Sequence, residues 1–258
     1  MPTNLSKEKP KKKFLQWMKK TGGRARSGRI TAWQRGGGYR KLYRKIDFGQ
    51  EHKGIAGTVE RIEYDPNRTS SIALIRYQDG SEGYIVLPDG LHVGDTIICN
   101  DAAELGPGNR MQLKNIPVGT MVYNIELEPD RGGKIVRGAG TAAKVLAHEG
   151  KYAQIQLPSS EIRKILDLCF ASVGIVSNPE HRYHRIPNAG RMRKMGWRPN
   201  VRGKAMNPVD HPHGGGEGRT STGLKYPKTP WGKPALGVKT RRRIWTNTFI
   251  LQRRKKKK

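Results

Sequence analysis

TVERIEYDPNRTSSIALIRYQDGSEGYIVL, residues 58–87, decides the fold class. Three runs in it, 58–64, 71–77 and 83–87, are rich in β-branched and aromatic residues. Two turn signals, Asp65-Pro66-Asn67 and Asp79-Gly80, separate them. Proline fixes φ and lacks a donor, and Asp-Gly accepts positive φ, so each signal ends a strand and reverses the chain. A fourth run, DTIIC at 95–99, follows the turn Pro88-Asp89-Gly90. Short strands at this even spacing, with no amphipathic helix between them, predict a small β-barrel of OB type.

Downstream, 121–127, 134–137, 142–147, 152–157, 161–166 and 171–176 read the same way, with Gly132-Gly133, Glu149-Gly150 and Pro158-Ser159-Ser160 as turns. Five or six short strands in about fifty-five residues fit a small SH3-like barrel. Neither barrel alone buries much surface, so each needs the other, or a partner, to pack against. After residue 177 the strand pattern stops. The class is therefore all-β with long irregular basic N- and C-terminal extensions: a basic tail 1–46, an OB-like barrel 47–120, an SH3-like barrel 121–196 and a basic Gly/Pro-rich extension 197–258.

Charge follows the same division. The net charge is +29 over 258 residues. Residues 1–46 hold 15 Lys and Arg against Glu8 alone, and residues 179–258 hold 22 against Glu180, Asp210 and Glu217. The middle, 47–178, has 13 Lys and Arg and 17 acids. A slightly acidic body thus carries two cationic arms, which repel themselves and call for a polyanion. Nucleic acid fits better than an anionic membrane, and no apolar run is long enough to span a bilayer. Cys99 and Cys169 lie far apart in apolar contexts, so they read as buried small hydrophobes in a reducing compartment. The N-terminus resembles neither a secretory signal nor a mitochondrial presequence.

Within the first arm, Phe14, Leu15, Trp17 and Met18 suggest one apolar patch on a short helix. Beyond it Gly22, Gly23, Gly28 and Gly36–Gly38 alternate with Arg24, Arg26, Arg29, Arg35 and Arg40. Glycine lets backbone approach closely, and arginine offers bidentate phosphate contacts. The sharpest motif is MNPVDHPHGGGEG at 206–218. Its His211 and His213, with Asp210 and Glu217 nearby, raise the question of a metal or acid/base site. An i, i+2 histidine pair without a neighbouring cysteine is poor zinc spacing, and acid/base work needs a rigid partner that flanking glycines do not supply. Neutral imidazoles that stack on or hydrogen-bond to bases are the better reading.

With Pro230-Trp231-Gly232, this motif resembles the L-two family of large-subunit ribosomal proteins. The resemblance runs through GGR (22–24), GRIT (28–31), RGGG (35–38), YRKIDF (43–48), EYDPNR (63–68), NIPVGT (115–120), GAGT (138–141) and RPNVRG (198–203), in order. It implies an OB-fold barrel, then an SH3-like barrel and a long extension, in a primary rRNA binder near the peptidyl transferase region and important for subunit association. It also implies that two arginines near the barrel junction, Arg68 and Arg137, bind RNA. His211 matches a family histidine close to RNA, without a catalytic role being carried over.

The expected rRNA contacts are Arg24, Arg26, Arg29, Arg35, Arg68, Arg137, Arg198, Arg202, His211, His213, Arg219, Trp231, Arg241 and Arg242, with the terminal RRKKKK as a general phosphate-binding run. No cofactor is expected beyond rRNA-associated Mg2+, and the chain is not expected to be an enzyme. Expected partners are large-subunit rRNA, neighbouring ribosomal proteins and the small subunit, with the chain a monomer within the ribosome. The competing readings are a nonspecific RNA or DNA chaperone and a metal-dependent hydrolase centred on His211 and His213. Residues 206–221, ending GRTS, favour a mitochondrial ribosome, while YRKIDF and GKPALG resemble chloroplast members; a bacterial cytoplasm is the third setting.

Overall fold

The structure, a computed structural model, describes residues 5–254. Residues 1–4 and 255–258 lie outside it, so most of the terminal RRKKKK run is not described. The chain forms two compact units. One comprises residues up to Met18, Lys41–Arg185 and those from Thr246; the other comprises Lys19–Arg40 and Ile186–Trp245.

In the first unit, β1 (Leu15–Trp17) pairs antiparallel with β2 (Leu42–Arg44). Next come β3 (Gly57–Glu63), β4 (Ile72–Tyr77), β5 (Glu82–Val86) and β6 (Thr96–Ile97), an antiparallel sheet of order β5-β4-β3-β6. The three runs of residues 58–87 thus supply three of its four strands, β3, β4 and β5. Ala73, Ile75 and Tyr77 of β4 pack on Val59, Ile62, Ile85, Leu87, Leu91 and Ile97. Its opposite face, Ile72 and Leu74 beside Tyr84, is also buried, covered by Phe14 and Ile46.

That cover corrects the picture of the first arm as a free cationic tail. The short helix expected to carry Phe14, Leu15, Trp17 and Met18 is not formed: Lys12–Phe14 is one 3-10 turn, Leu15–Trp17 is a strand, and Trp17 is 70% exposed. Phe14 packs edge-on against Tyr84, with ring centroids 5.2 Å apart. Lys11 and Lys13 both pair with Glu82, and Arg61 bonds Glu8. Hydrogen bonds from Lys11 and then Lys13 hold the Glu82 carboxyl down at about 2. The acidity of the body is what seats this part of the arm.

The second sheet contains β7 (Arg110–Gln112), β8 (Met121–Tyr123), β9 (Ala143–Glu149), β10 (Tyr152–Gln156), β11 (Ile162–Leu166), β12 (Phe170–Val173) and β13 (Ile250–Gln252), in the order β13-β11-β10-β9-β8-β12-β7. Its core includes Met111, Leu113, Val122, Ile125, Val145, Ile155, Ile165 and Val173. Two differences from the sequence reading stand out. Strands do resume after residue 177, because β13 pairs with β11. Residues 134–137 make only the isolated bridge Ile125↔Ile135, since Val136 turns to φ +55° and leaves extended geometry. Together the two sheets give the all-β, two-barrel class that the turn spacing predicts.

Arg110 of β7 is fully buried, and its Nη2 lies 2.8 Å from Glu126 Oε1. Arg110 Nη1 donates to Asn124 O, and Glu126 Oε2 accepts the Phe170 N–H. Each charge is thereby hydrogen-bonded as well as paired, as burial of an ion pair demands. Both thiols are free and buried; burial pushes Cys99 up to about 11 and Cys169 up to about 12.

The second unit is built differently. It contains α1 (Ala189–Lys194), capped by Asn188 Oδ1 accepting the Arg191 N–H, and otherwise turns and bridges. Among its residues only His211 is buried.

Candidate nucleic-acid interface

The two barrels meet over Val86, Tyr123 and Val176, flanked by Ile46, Phe48 and Val136. Backbone bonds lock the seam: Asp89 N–H to Ile175 O (2.7 Å) and Ser177 N–H to Leu87 O (3.0 Å). At its edge the Phe48 carbonyl accepts both Asn124 Nδ2 and the Gly133 N–H, each at 3.0 Å, so the backbone that carries the ring is held by two bonds.

Arg68 and Arg137, named from separate motifs, come together on that ring. The Arg137 guanidinium lies 4.2 Å from the Phe48 centroid and that of Arg68 lies 5.5 Å from it. Arg68 Nε bonds the fully buried Asp65 carboxylate at 2.5 Å. Arg137 Nη1 donates only to a backbone carbonyl, that of Gly133, and among the described residues no carboxylate pairs with it. Burial, and secondarily the neighbouring Arg68, lower the Arg137 pKa. Two cations with one carboxylate between them leave a net positive, partly desolvated point, where an anion gains more than it would in open solvent. Val136, directly before Arg137, holds a φ that β-branched residues avoid. Strain of this kind persists where the surroundings over-determine the backbone, as at functional sites. A cleft of about 860 Å³ opens beside Arg137, lined by the cations Lys13, Lys45, Lys53, Arg131 and Lys134 and by the carboxylates of Asp47, Glu51, Glu82, Glu126 and Asp130.

The remaining expected contacts all fall in the second unit. That unit holds 21 Lys and Arg against two acids, Asp210 and Glu217. A hairpin closed by Ala25 N–H to Arg29 O (2.8 Å) turns Arg24, Arg26 and Arg29 outward. Gly23 must be glycine there, because a Cβ would stand 2.1 Å from Ala32 O. A second ribbon joins Gly36 N–H to Gly196 O and Tyr39 N–H to Lys194 O, and stacks Arg35 3.5 Å over the Trp197 ring. Arg198, Arg202, Arg219, Arg241 and Arg242 are exposed.

The histidine motif is a scaffold. His211 Nδ1 accepts the His213 N–H (3.0 Å), and His213 Nε2 accepts the Lys228 N–H (2.9 Å). Each acceptor nitrogen must be unprotonated, so both rings are neutral in this arrangement. Desolvation, and then the nearby His211, Lys204 and Lys228, lower the His213 pKa. Gly203 packs flat on His211, where a Cβ would lie 2.6 Å from the ring. The motif thereby ties RPNVRG on one side to the hairpin on the other, whose tip is Trp231, closed by Gly232 N–H to Thr229 O. Among the described residues no three His, Cys, Asp or Glu side chains gather in metal-binding geometry.

Sequence reasoning missed Phe48, Trp33 and Trp197. Phe48 stands in YRKIDF, and an aromatic between a basic arm and the first barrel strand was the available signal. Trp33 and Trp197 sit among glycines and arginines, outside any strand pattern that would single them out in sequence.

Comparison with known families agrees with this arrangement. The family model described as Ribosomal Proteins L2, RNA binding N-terminal domain matches residues 11–99, and that described as Ribosomal Proteins L2, C-terminal domain matches residues 106–232. The large ribosomal subunit protein uL2 of Rhodospirillum rubrum is 51% identical over 252 residues, covering 98% of this chain and 90% of the relative. That of Maricaulis maris is 50% identical over 254 residues, covering 98% and 91%. With both models matched in order and half of all residues shared along nearly its whole length, the chain belongs to the L2 family of ribosomal proteins.

Proposed function

We propose that the chain is a structural constituent of the large ribosomal subunit that binds large-subunit rRNA. The observation that carries this is the ordered match of both L2 domains, the first described as RNA-binding, across a chain half identical to bacterial uL2 proteins. The cationic second unit supplies sequence-independent affinity through Arg24, Arg26, Arg29, Arg35, Arg198, Arg202, Arg219, Arg241 and Arg242. Arg68 and Arg137, held on Phe48, set the register. The chain contributes binding rather than chemistry: His211 and His213 shape a loop close to the peptidyl transferase region, and Mg2+ enters only with the rRNA. Its other partners are neighbouring ribosomal proteins and the small subunit. Both relatives named above are bacterial, which supports a ribosome of bacterial type; a mitochondrial ribosome is the finer reading, retained from the sequence of residues 206–221.

Substituting Arg137→Ala tests the register. It should weaken binding to a cognate rRNA fragment by ~1–3 kcal/mol, the worth of a charge-assisted hydrogen bond. An unrelated RNA of equal length should lose much less. Equal loss on both RNAs would refute a fixed site and favour a nonspecific chaperone.

A further inference from the structure

The second unit has no apolar core, yet four of the five tryptophans of the chain lie in it: Trp33, Trp197, Trp231 and Trp245. Three of them are set in two displays. Trp33 and Trp231 meet edge-to-face, with centroids 6.2 Å apart at 68°, and remain 41% and 57% exposed. Trp197 carries the Arg35 guanidinium on its ring and is 37% exposed. Their backbones are not loose. The ribbon between residues 34–39 and 194–198 fixes Trp197, and Gly38 there approaches Gly196 so closely that a Cβ would lie 2.7 Å from its nitrogen. The turn from Thr229 to Gly232, tied to His213 through Lys228, fixes Trp231.

Large flat rings held rigidly in water are a cost to a folded unit unless a partner covers them. The surrounding 21 basic residues against two acids restrict that partner to a polyanion. A polyanion that also offers flat apolar faces is RNA with unpaired bases; a duplex keeps those faces stacked inside. We infer that the second unit is a clamp for unpaired RNA nucleotides, in which Trp33, Trp231 and the Arg35–Trp197 stack receive bases while the arginines hold the phosphates.

This inference rests on the RNA-binding reading above and specifies the form of RNA bound. The full chain is titrated, at one fixed salt concentration, with a twelve-nucleotide oligouridylate and with an RNA duplex of equal length, reading tryptophan fluorescence and anisotropy. Stacked bases should quench the tryptophans on the single strand and not on the duplex. Trp231→Ala and Trp33→Ala should each weaken single-strand binding roughly five- to a hundredfold, the effect of removing a stacking platform, with the salt slope unchanged. Trp231→Phe should retain most of the affinity. Trp17→Ala, more exposed but in the other unit, should change nothing. Equal loss on single strand and duplex, or no loss on either, overturns the clamp. Should an alanine variant unfold, selective quenching and Trp231→Phe still decide. A chain that binds neither RNA refutes the RNA-binding reading itself; one that binds both alike, with steep salt dependence, loses only the clamp.

Discussion

Replacing Glu126 with alanine strips the Arg110 guanidinium of its counter-ion at a point where the arginine is fully buried. What remains to it is Asn124 O at 2.8 Å and Ser172 Oγ at 3.3 Å, two neutral acceptors for a cation. The buried Phe170 N–H, at the start of β12, loses its acceptor at 3.0 Å as well. Breaking a buried pair from one side costs about 3–5 kcal/mol, a large share of a typical domain's 5–15 kcal/mol. With a urea slope of about 2 kcal/mol/M, the midpoint of unfolding, followed by far-ultraviolet circular dichroism, should fall by about 2 M. Arg110→Met combined with Glu126→Leu removes both charges and should recover most of that loss. A midpoint within about 0.3 M of wild type for Glu126→Ala would refute the reasoning, because it would mean the guanidinium reaches water or another anion.

Two further outcomes follow from the titrating groups. His213 is held neutral, with its folded pKa below the ordinary imidazole value of 6.5. Its contribution is therefore complete above that value and is lost as pH falls through the folded pKa. The protection factor of the Lys228 amide, which donates to this ring, should be high at neutral pH and fall on acidification; a pH-independent protection factor would contradict the scaffold role. Cys99 and Cys169, with thiols raised by burial to about 11 and about 12, should resist iodoacetamide at pH 7.5 until urea unfolds the barrels. Fast labelling of either in the native protein would place it at the surface.

Much of the fold was legible because turns punctuate it. Asp65-Pro66-Asn67 and Asp79-Gly80 bracket β4, and the β-branched and aromatic residues of 71–77 mark it as a strand without any long-range knowledge. What escaped were features set by distant partners. Ile250–Gln252 is three residues in a basic tail, and only the free edge of β11 makes it a strand. Phe14 and Lys11 looked like part of a solvated arm, yet the second apolar face of β4 and the carboxylate of Glu82, some seventy residues away, dock them. At the site, spacing could nominate Arg68 and Arg137 separately through their motifs, but not the Phe48 ring that brings them together. The histidine motif was legible as a special loop. Its role rests on distant residues before and after it in sequence: Gly203 lies flat on the His211 ring, and the Lys228 N–H donates to His213.

The most direct test of the central claim is where the chain resides in the cell. A tagged copy, expressed at native level, is followed through sucrose-gradient sedimentation with the RNA of each fraction identified. The expected result is co-migration, at one copy per particle, with the large subunit and its rRNA, persisting after high-salt washing that strips loosely held proteins. A chain found in light fractions, or spread over unrelated RNAs while large subunits are intact, would contradict a structural place in the ribosome.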